Sequence, residues 1–293
     1  MFKTTTRDDA LETLALHDSD AESTLILAPA RGGMATRWTI RDREIFYLDE
    51  GTLRDPSKNV RGGNPVLFPQ PGKLEGDVYS RDGKRGSLKQ HGFARNLPWT
   101  VVGTSTADAA SAVLRLTSNE MTRSVFPWDF VAEYTYSLRG AALRIEQRFS
   151  NTGAEPMPFG AGFHPYFHVK QSEKRSARVS TTATRAFDNV TKKTGPLSID
   201  LGAPETDLHL VDHGKKPCTL AWPSGTITVS ASEEFTHWVL WTIEGKDFVC
   251  VEPWTCPGNA LNTGDRLLVL PPGETRALWI EIAVEIAGEI AES

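Results

Sequence analysis

Residues 276–286 read RALWIEIAVEI. Leu278, Ile280, Ile282, Val284 and Ile286 alternate without a break with Trp279, Glu281, Ala283 and Glu285. A period of two sends successive side chains to opposite faces of a strand, so the stretch predicts one long strand with an apolar face, long enough to cross a wide sheet. The same period recurs upstream at shorter length. In Ala142–Ser150, Leu143, Ile145 and Phe149 share one face and Arg144, Glu146 and Arg148 the other; in Ser111–Thr117 the apolar positions are Ala112, Leu114 and Leu116. Thr24–Ala28, Met34–Ile40 and Glu44–Leu48 are short, apolar-rich and bounded by Pro, Gly or Asp, which also reads as strand. Dense turn signals separate these runs: RGG at 31–33, RGGNP at 61–65, NTG at 151–153 and PPG at 271–273. A helical period is visible only over Asp8–Leu16, read as a short amphipathic helix inside a polar lead-in of about residues 1–22. Many strands at short spacing with little helix predict one all-β domain over 1–293, a large antiparallel sandwich or barrel.

Composition narrows the classes of function. The chain is 39% hydrophobic and 24% charged with a net charge of −5, the profile of an ordinary globular protein. No basic run or Arg/Lys stripe suits a phosphate backbone, so no nucleic-acid partner is expected. The first twenty residues lack an apolar core of signal-peptide length, and nowhere do 18 apolar residues run together, so neither secretion nor a membrane span is expected. Cys218, Cys250 and Cys256 are odd in number and lack CxxC spacing, which argues against a disulfide framework or zinc knuckle and for a reducing cytoplasm. Asn189-Val190-Thr191 matches a glycosylation acceptor by chance.

Three segments carry candidate chemistry. In FVCVEPWT (248–255) the strand-type run reaches Pro253, which has no N–H to continue a ladder, so Glu252 is expected at the strand's last position, a fixed carboxylate placed to act as a base. Its bland alternative is an edge glutamate in solvent. In FGAGFHPYFHV (159–169), His164 precedes Pro165 as Glu252 precedes Pro253. His164 and His168 are four apart, on one face of a strand, which raises a metal site; no ligand set completes it, and His168 reads better as a wet-rim residue. In HGFAR (91–95), Gly92 permits close approach of backbone to a ligand beside His91. The loop RGGNPVLFPQPG (61–72) is stiffened by its glycines and prolines but matches no phosphate-binding glycine pattern. Arg61 at its base can present a planar fork to sugar hydroxyls or a phosphate. Aromatic residues cluster around these segments, among them Phe93, Trp99, Tyr166, Trp241 and Trp254; most are expected in the core, with one or two offering flat faces to a sugar ring.

Taken together, GGNPVLFP, HGFAR with a following Trp, GFHPYF, WTIEGKDFVCVEPWT and the LVLPPGE turn before the last strand resemble the aldose 1-epimerase (galactose mutarotase) family, over roughly Arg61 to Val284. The resemblance implies an antiparallel β-supersandwich and a cofactor-free enzyme, without a metal, that interconverts the α and β anomers of an aldose. It implies Glu252 as general base, His164 as general acid and His91 as a second active-site histidine, with Arg61 and Asp207 binding substrate. The RGG and HGFAR forms look nearer to the branch acting on hexose 6-phosphates, for which Arg61, Arg95, Lys73 and Lys89 are the available cations and Trp254 a stacking surface. The expected partner is therefore an aldohexose or its 6-phosphate, bound by a monomer or homodimer. The competing reading is a non-catalytic carbohydrate-binding protein of the same fold; a glycoside hydrolase would need a second convincing carboxylate.

Overall fold

The computed structural model describes residues 1–8 and 11–287. Two large antiparallel sheets carry the architecture. The first runs in the order Arg178–Ser180, Cys218–Trp222, Gly225–Ala231, Thr275–Ile286, Ala142–Asn151, Phe130–Arg139, Ala110–Thr117 and Thr100–Ser105. The expected long strand is its centre: Thr275–Ile286 pairs with Ala142–Asn151 on one side and Gly225–Ala231 on the other, burying Leu278, Ile280, Ile282 and Val284. The second sheet runs Lys193–Pro196, Arg185–Asp188, Glu205–Leu210, His237–Ile243, Phe248–Trp254, Gly162–Phe163 and Val66–Leu67, with Tyr166–His168 also on Phe248–Trp254. This is the antiparallel supersandwich that the alternation and the resemblance implied.

The apolar faces of the two sheets meet in one core. Tyr134 and Phe149 of the first sheet stand against Phe163 and Phe159, with ring centroids 5.8 and 4.8 Å apart. Phe68 lies among Phe93, Phe126, Phe130, Phe149 and Phe159, all edge-to-face, tilted or offset, the arrangements that aromatic quadrupoles prefer. Since the period is two, what faces the core also fixes what faces away. Val249 and Val251, Trp238 and Leu240, and Leu208 and Leu210 all join the main core. Their neighbours Cys250, Glu252 and Trp254, His237, Val239 and Trp241, and Asp207 and His209 therefore share the sheet's outer face.

The N-terminal expectations are corrected. The polar lead-in folds as two strands, Phe2–Asp8 and Glu12–Asp18, of a five-stranded sheet completed by Ser23–Ala28, Met34–Ile40 and Arg43–Glu44. The helix expected over Asp8–Leu16 is thus mostly strand, with residues 9 and 10 outside the described ones. Leu14 and Leu16, two apart, share a face only in the extended form, which pairing with Ser23–Ala28 and packing against the Ala110–Thr117 strand hold in place. Glu44–Leu48 shortens to Arg43–Glu44 plus single bridges from Phe46 to Phe167 and from Leu48 to Gly62.

Candidate active site

Glu252 and His164 meet through strand register. Phe248–Trp254 pairs with Tyr166–His168 at Cys250↔Tyr166 and with Gly162–Phe163 at Trp254↔Gly162. The same register carried across the break between those two segments sets His164 opposite Glu252. The break is Pro165, and on that flank Val251–Pro253 makes no ladder pairs. Contrary to expectation, the Glu252 strand does not end at Pro253: it continues to Trp254, pairing Val239↔Glu252 and Trp238↔Pro253 with its other neighbour. A proline is tolerated there because one flank is already open. Glu252 is 1% exposed, so the solvent-edge alternative falls away. His164 Nε2 lies 3.5 Å from Glu252 Oε1, and Trp254 Nε1–H donates to Oε2 at 3.2 Å.

These side chains floor a cleft of about 1280 Å³ that also takes in Arg61, His91, Arg95, Tyr166, Asp207 and Trp241. All seven residues singled out in the sequence line it: Glu252, His164, His91, Arg61, Asp207, Arg95 and Trp254. Lys73 lines it as well, whereas Lys89 lies outside. His91 enters from the loop before Ala94–Asn96, its ring 5.5 Å from those of both His164 and Trp254. It is followed by Gly92 at φ +72°, where a Cβ would stand 2.2 Å from the Phe68 carbonyl oxygen, so the close approach here is of backbone to backbone and serves to seat His91. Arg61 lies over the Trp241 ring at 5.7 Å, and Arg95 donates to the Gln90 carbonyl while its Nε is buried without a partner. Among the described residues neither arginine forms an ion pair with a carboxylate.

Burial sets the protonation of the floor. It pushes the Glu252 carboxyl well above the usual range, and the Asp207 charge adds to that; the Trp254 hydrogen bond and Arg95 oppose it. Burial, with Arg95 and Arg61 behind it, takes His164 down to about 3, and holds His91 well below an ordinary histidine. Burial also brings Arg95 down to about 10, still a cation at neutral pH. The two shifts run in opposite senses, up for Glu252 and down for His164, so a proton shared by the pair rests on the carboxyl in the free protein.

Two residues carry no site role in the sequence reading, where His209 is weighed only as a metal ligand near Asp207 and lacks a ligand set. His209 and His237 join the cleft, ring centroids 5.0 Å apart, with Trp254 stacked on His237 at 5.6 Å. His168, in contrast, pairs with Phe248 and stays out of the cleft, so the four-apart histidines share no site. The set that could hold a metal by type is His164, Cys250 and Glu252, whose ligand atoms lie within 4.8 Å of one another. Burial holds the Cys250 thiol protonated, and Arg61 and Arg95 raise the local positive potential, so the surroundings oppose a cation.

A family model described as aldose 1-epimerase matches residues 20–283. The chain belongs to the aldose 1-epimerase family. A solved structure of the Slr1438 protein from Synechocystis sp. PCC 6803 is 40% identical, superposes with a TM-score of 0.92 and covers 98% of this chain and 100% of its own. A protein of Cenchrus ciliaris named "Putative glucose-6-phosphate 1-epimerase" is 26% identical over 275 residues, 83% of this chain and 76% of that protein. A galactose mutarotase-like protein of Clostridium acetobutylicum shares the fold, with a TM-score of 0.82 at 16% identity over 97% of this chain and 99% of its own.

Proposed function

We propose that the chain is an aldose 1-epimerase that exchanges the α and β anomers of an aldohexose, with hexose 6-phosphate as the preferred form. The observation that carries this is the cross-strand pair of Glu252 and His164, 3.5 Å apart on the floor of a cleft roomy enough for a pyranose. Opening the ring requires a proton to leave the C1 hydroxyl and another to reach the ring oxygen; rotation about C1–C2 and reversal of both steps then give the other anomer. A pair holding one proton and one free lone pair has what this exchange consumes, and it returns to its starting state after each turnover. Once the shared proton has passed from the carboxyl to His164, Glu252 as carboxylate takes the C1 proton, its basicity raised by burial. His164 in its imidazolium form gives one to the ring oxygen, its acidity raised by the same burial and by the two arginines. Each such group is worth about 10²- to 10⁴-fold in rate.

Arg61 and Arg95 support the phosphorylated substrate. Both guanidiniums are free of carboxylate partners, Arg95 with a buried Nε that has no hydrogen-bond acceptor, and a phosphate matches their planar donors. Asp207 supplies an acceptor for a sugar hydroxyl and Trp254 a flat apolar face. We read residues 1–293 as a single domain and the enzyme as a cytoplasmic monomer or homodimer, in keeping with three buried free cysteines. The test is anomer exchange followed by NMR or polarimetry on glucose, galactose and glucose 6-phosphate in parallel. Acceleration greatest with the phosphate is expected; binding of these sugars with no acceleration would make the chain a carbohydrate-binding protein instead.

A further inference from the structure

Asp207 stands at one end of a chain of side chains that no part of the acid–base exchange uses. At the other end Arg266, half-buried, places Nη2 3.4 Å from His237 Nδ1 while Nη1 donates to the Thr236 carbonyl. His237 Nε2 lies 2.8 Å from His209 Nδ1, and His209 Nε2 lies 3.5 Å from Asp207 Oδ1. Asn189 Nδ2 donates to the remaining carboxylate oxygen, Oδ2, at 2.7 Å.

The donor–acceptor logic allows one assignment. A guanidinium has no lone pair to offer, so His237 Nδ1 accepts and the His237 proton sits on Nε2. That N–H donates to His209 Nδ1, which forces the His209 proton onto Nε2, aimed at Asp207. We propose that Arg266, His237 and His209 form a directed hydrogen-bond relay of two neutral Nε2–H imidazoles. In it they act as positioning residues that hold the Asp207 carboxylate towards the substrate. Arg266, which also pairs with Asp265 (Nε to Oδ1 3.3 Å), two aligned imidazole dipoles and the Asp207 carboxylate follow one another head to tail, so each contact polarises the next in the same sense. Asn189 fixes one Asp207 oxygen by a hydrogen bond, and His209 Nε2 faces the other at ion-pair distance. Asp207 is in turn the charge that, after burial, keeps the Glu252 carboxyl high, so the relay reaches both the substrate and the base.

The relay rests on the mutarotase reading only for its kinetic consequence, and two measurements separate them. Long-range ¹H–¹⁵N NMR of the free protein at pH 7 reads the tautomers without substrate: both His209 and His237 are expected as neutral Nε2–H rings. Either ring as Nδ1–H or as imidazolium overturns the relay whatever the enzyme does. In kinetics on the best of the three sugars, His209→Leu removes acceptor and donor together and is expected to raise KM about tenfold, the worth of one hydrogen bond to a charged group, with kcat changed far less. His209→Gln, whose amide accepts at one atom and donates at another, is expected to recover most of that loss. A wild-type KM in folded His209→Leu, or no recovery in His209→Gln, overturns the positioning role.

Discussion

His91 and Gly72 are joined by a reciprocal pair of hydrogen bonds: the His91 N–H donates to the Gly72 carbonyl at 2.7 Å, and the Gly72 N–H donates to His91 Nδ1 at 3.0 Å. An Nδ1 that accepts from an amide cannot carry the ring proton, so His91 presents Nε2–H. With burial holding it neutral, His91 has an Nε2–H to donate, which in the proposed mechanism leaves the moving proton to His164. His91→Phe is expected to lower kcat/KM by about 10- to 100-fold, less than loss of either member of the proton-carrying pair. Steady-state anomer exchange checks this, and a loss as deep as that of His164→Asn would return His91 to the role of acid.

Glu252→Gln and His164→Asn each leave the pair unable to pass a proton both ways. Each is expected to cost about 10³-fold or more in kcat, and the double variant little beyond either single one, because the two act as a unit. Glu252→Gln keeps the Trp254 hydrogen bond and removes a buried acid, so its melting temperature is expected to stay near that of the parent. Undiminished exchange in Glu252→Gln would remove the base assignment.

The arginines predict a substrate-dependent response. Arg61 is exposed and at the rim, so Arg61→Leu is expected to raise KM for glucose 6-phosphate by about tenfold while leaving glucose within about twofold, as one charged hydrogen bond is lost from one substrate only. Equal effects on both sugars would place Arg61 against hydroxyls and not against the phosphate.

Stability is expected to fall as the medium is acidified from pH 6.5 to 5. His91, His164 and His237 are all buried with proton affinity below that of a free imidazole, which titrates near pH 6.5 in the unfolded chain. Below that pH the unfolded chain binds protons that the native state refuses, so the stability present above 6.5 drains away towards the folded value, about 3 for His164. Glu252, raised when folded, works in the opposite sense: its contribution is present below its ordinary value and lost as pH rises through its native one. Three groups against one give a net loss of about 1–3 kcal/mol over the interval. Urea midpoints at pH 6.5 and 5 measure it; no decrease would mean that these histidines are charged in the fold.

Much of this molecule was readable from residue order, and the exceptions have physical causes. Thr275–Ile286 and Ala142–Asn151 announce themselves because each buries one face against a single core and wets the other. His164 and Glu252 were visible because each precedes a proline at the end of an apolar run, although only Pro165 breaks a strand. The meaning of that coincidence, a shared register position across a gap, belongs to the sheet and not to either segment. His209 carried only the nearby Asp207 as a local signal and His237 none, since each is an outer-face residue that becomes polar machinery only once neighbouring strands set it beside Trp254, Arg266 and Asp207. The first strands were hidden for another reason: Phe2–Asp8 is an edge strand, pairing only with Glu12–Asp18 and rich in threonine and charge, so it lacks the apolar alternation that marks interior strands.

The cations whose charge reaches His164 are both guanidiniums, Arg95 and Arg61, and the lysines of the cleft, Lys73 and Lys192, are exposed. Ring opening releases a free aldehyde, which an unprotonated primary amine captures as an imine, whereas a guanidinium keeps its proton and does not condense. Arginine in place of lysine at this spot would let the cleft hold a sugar in its open, most electrophilic form without being glycated by it.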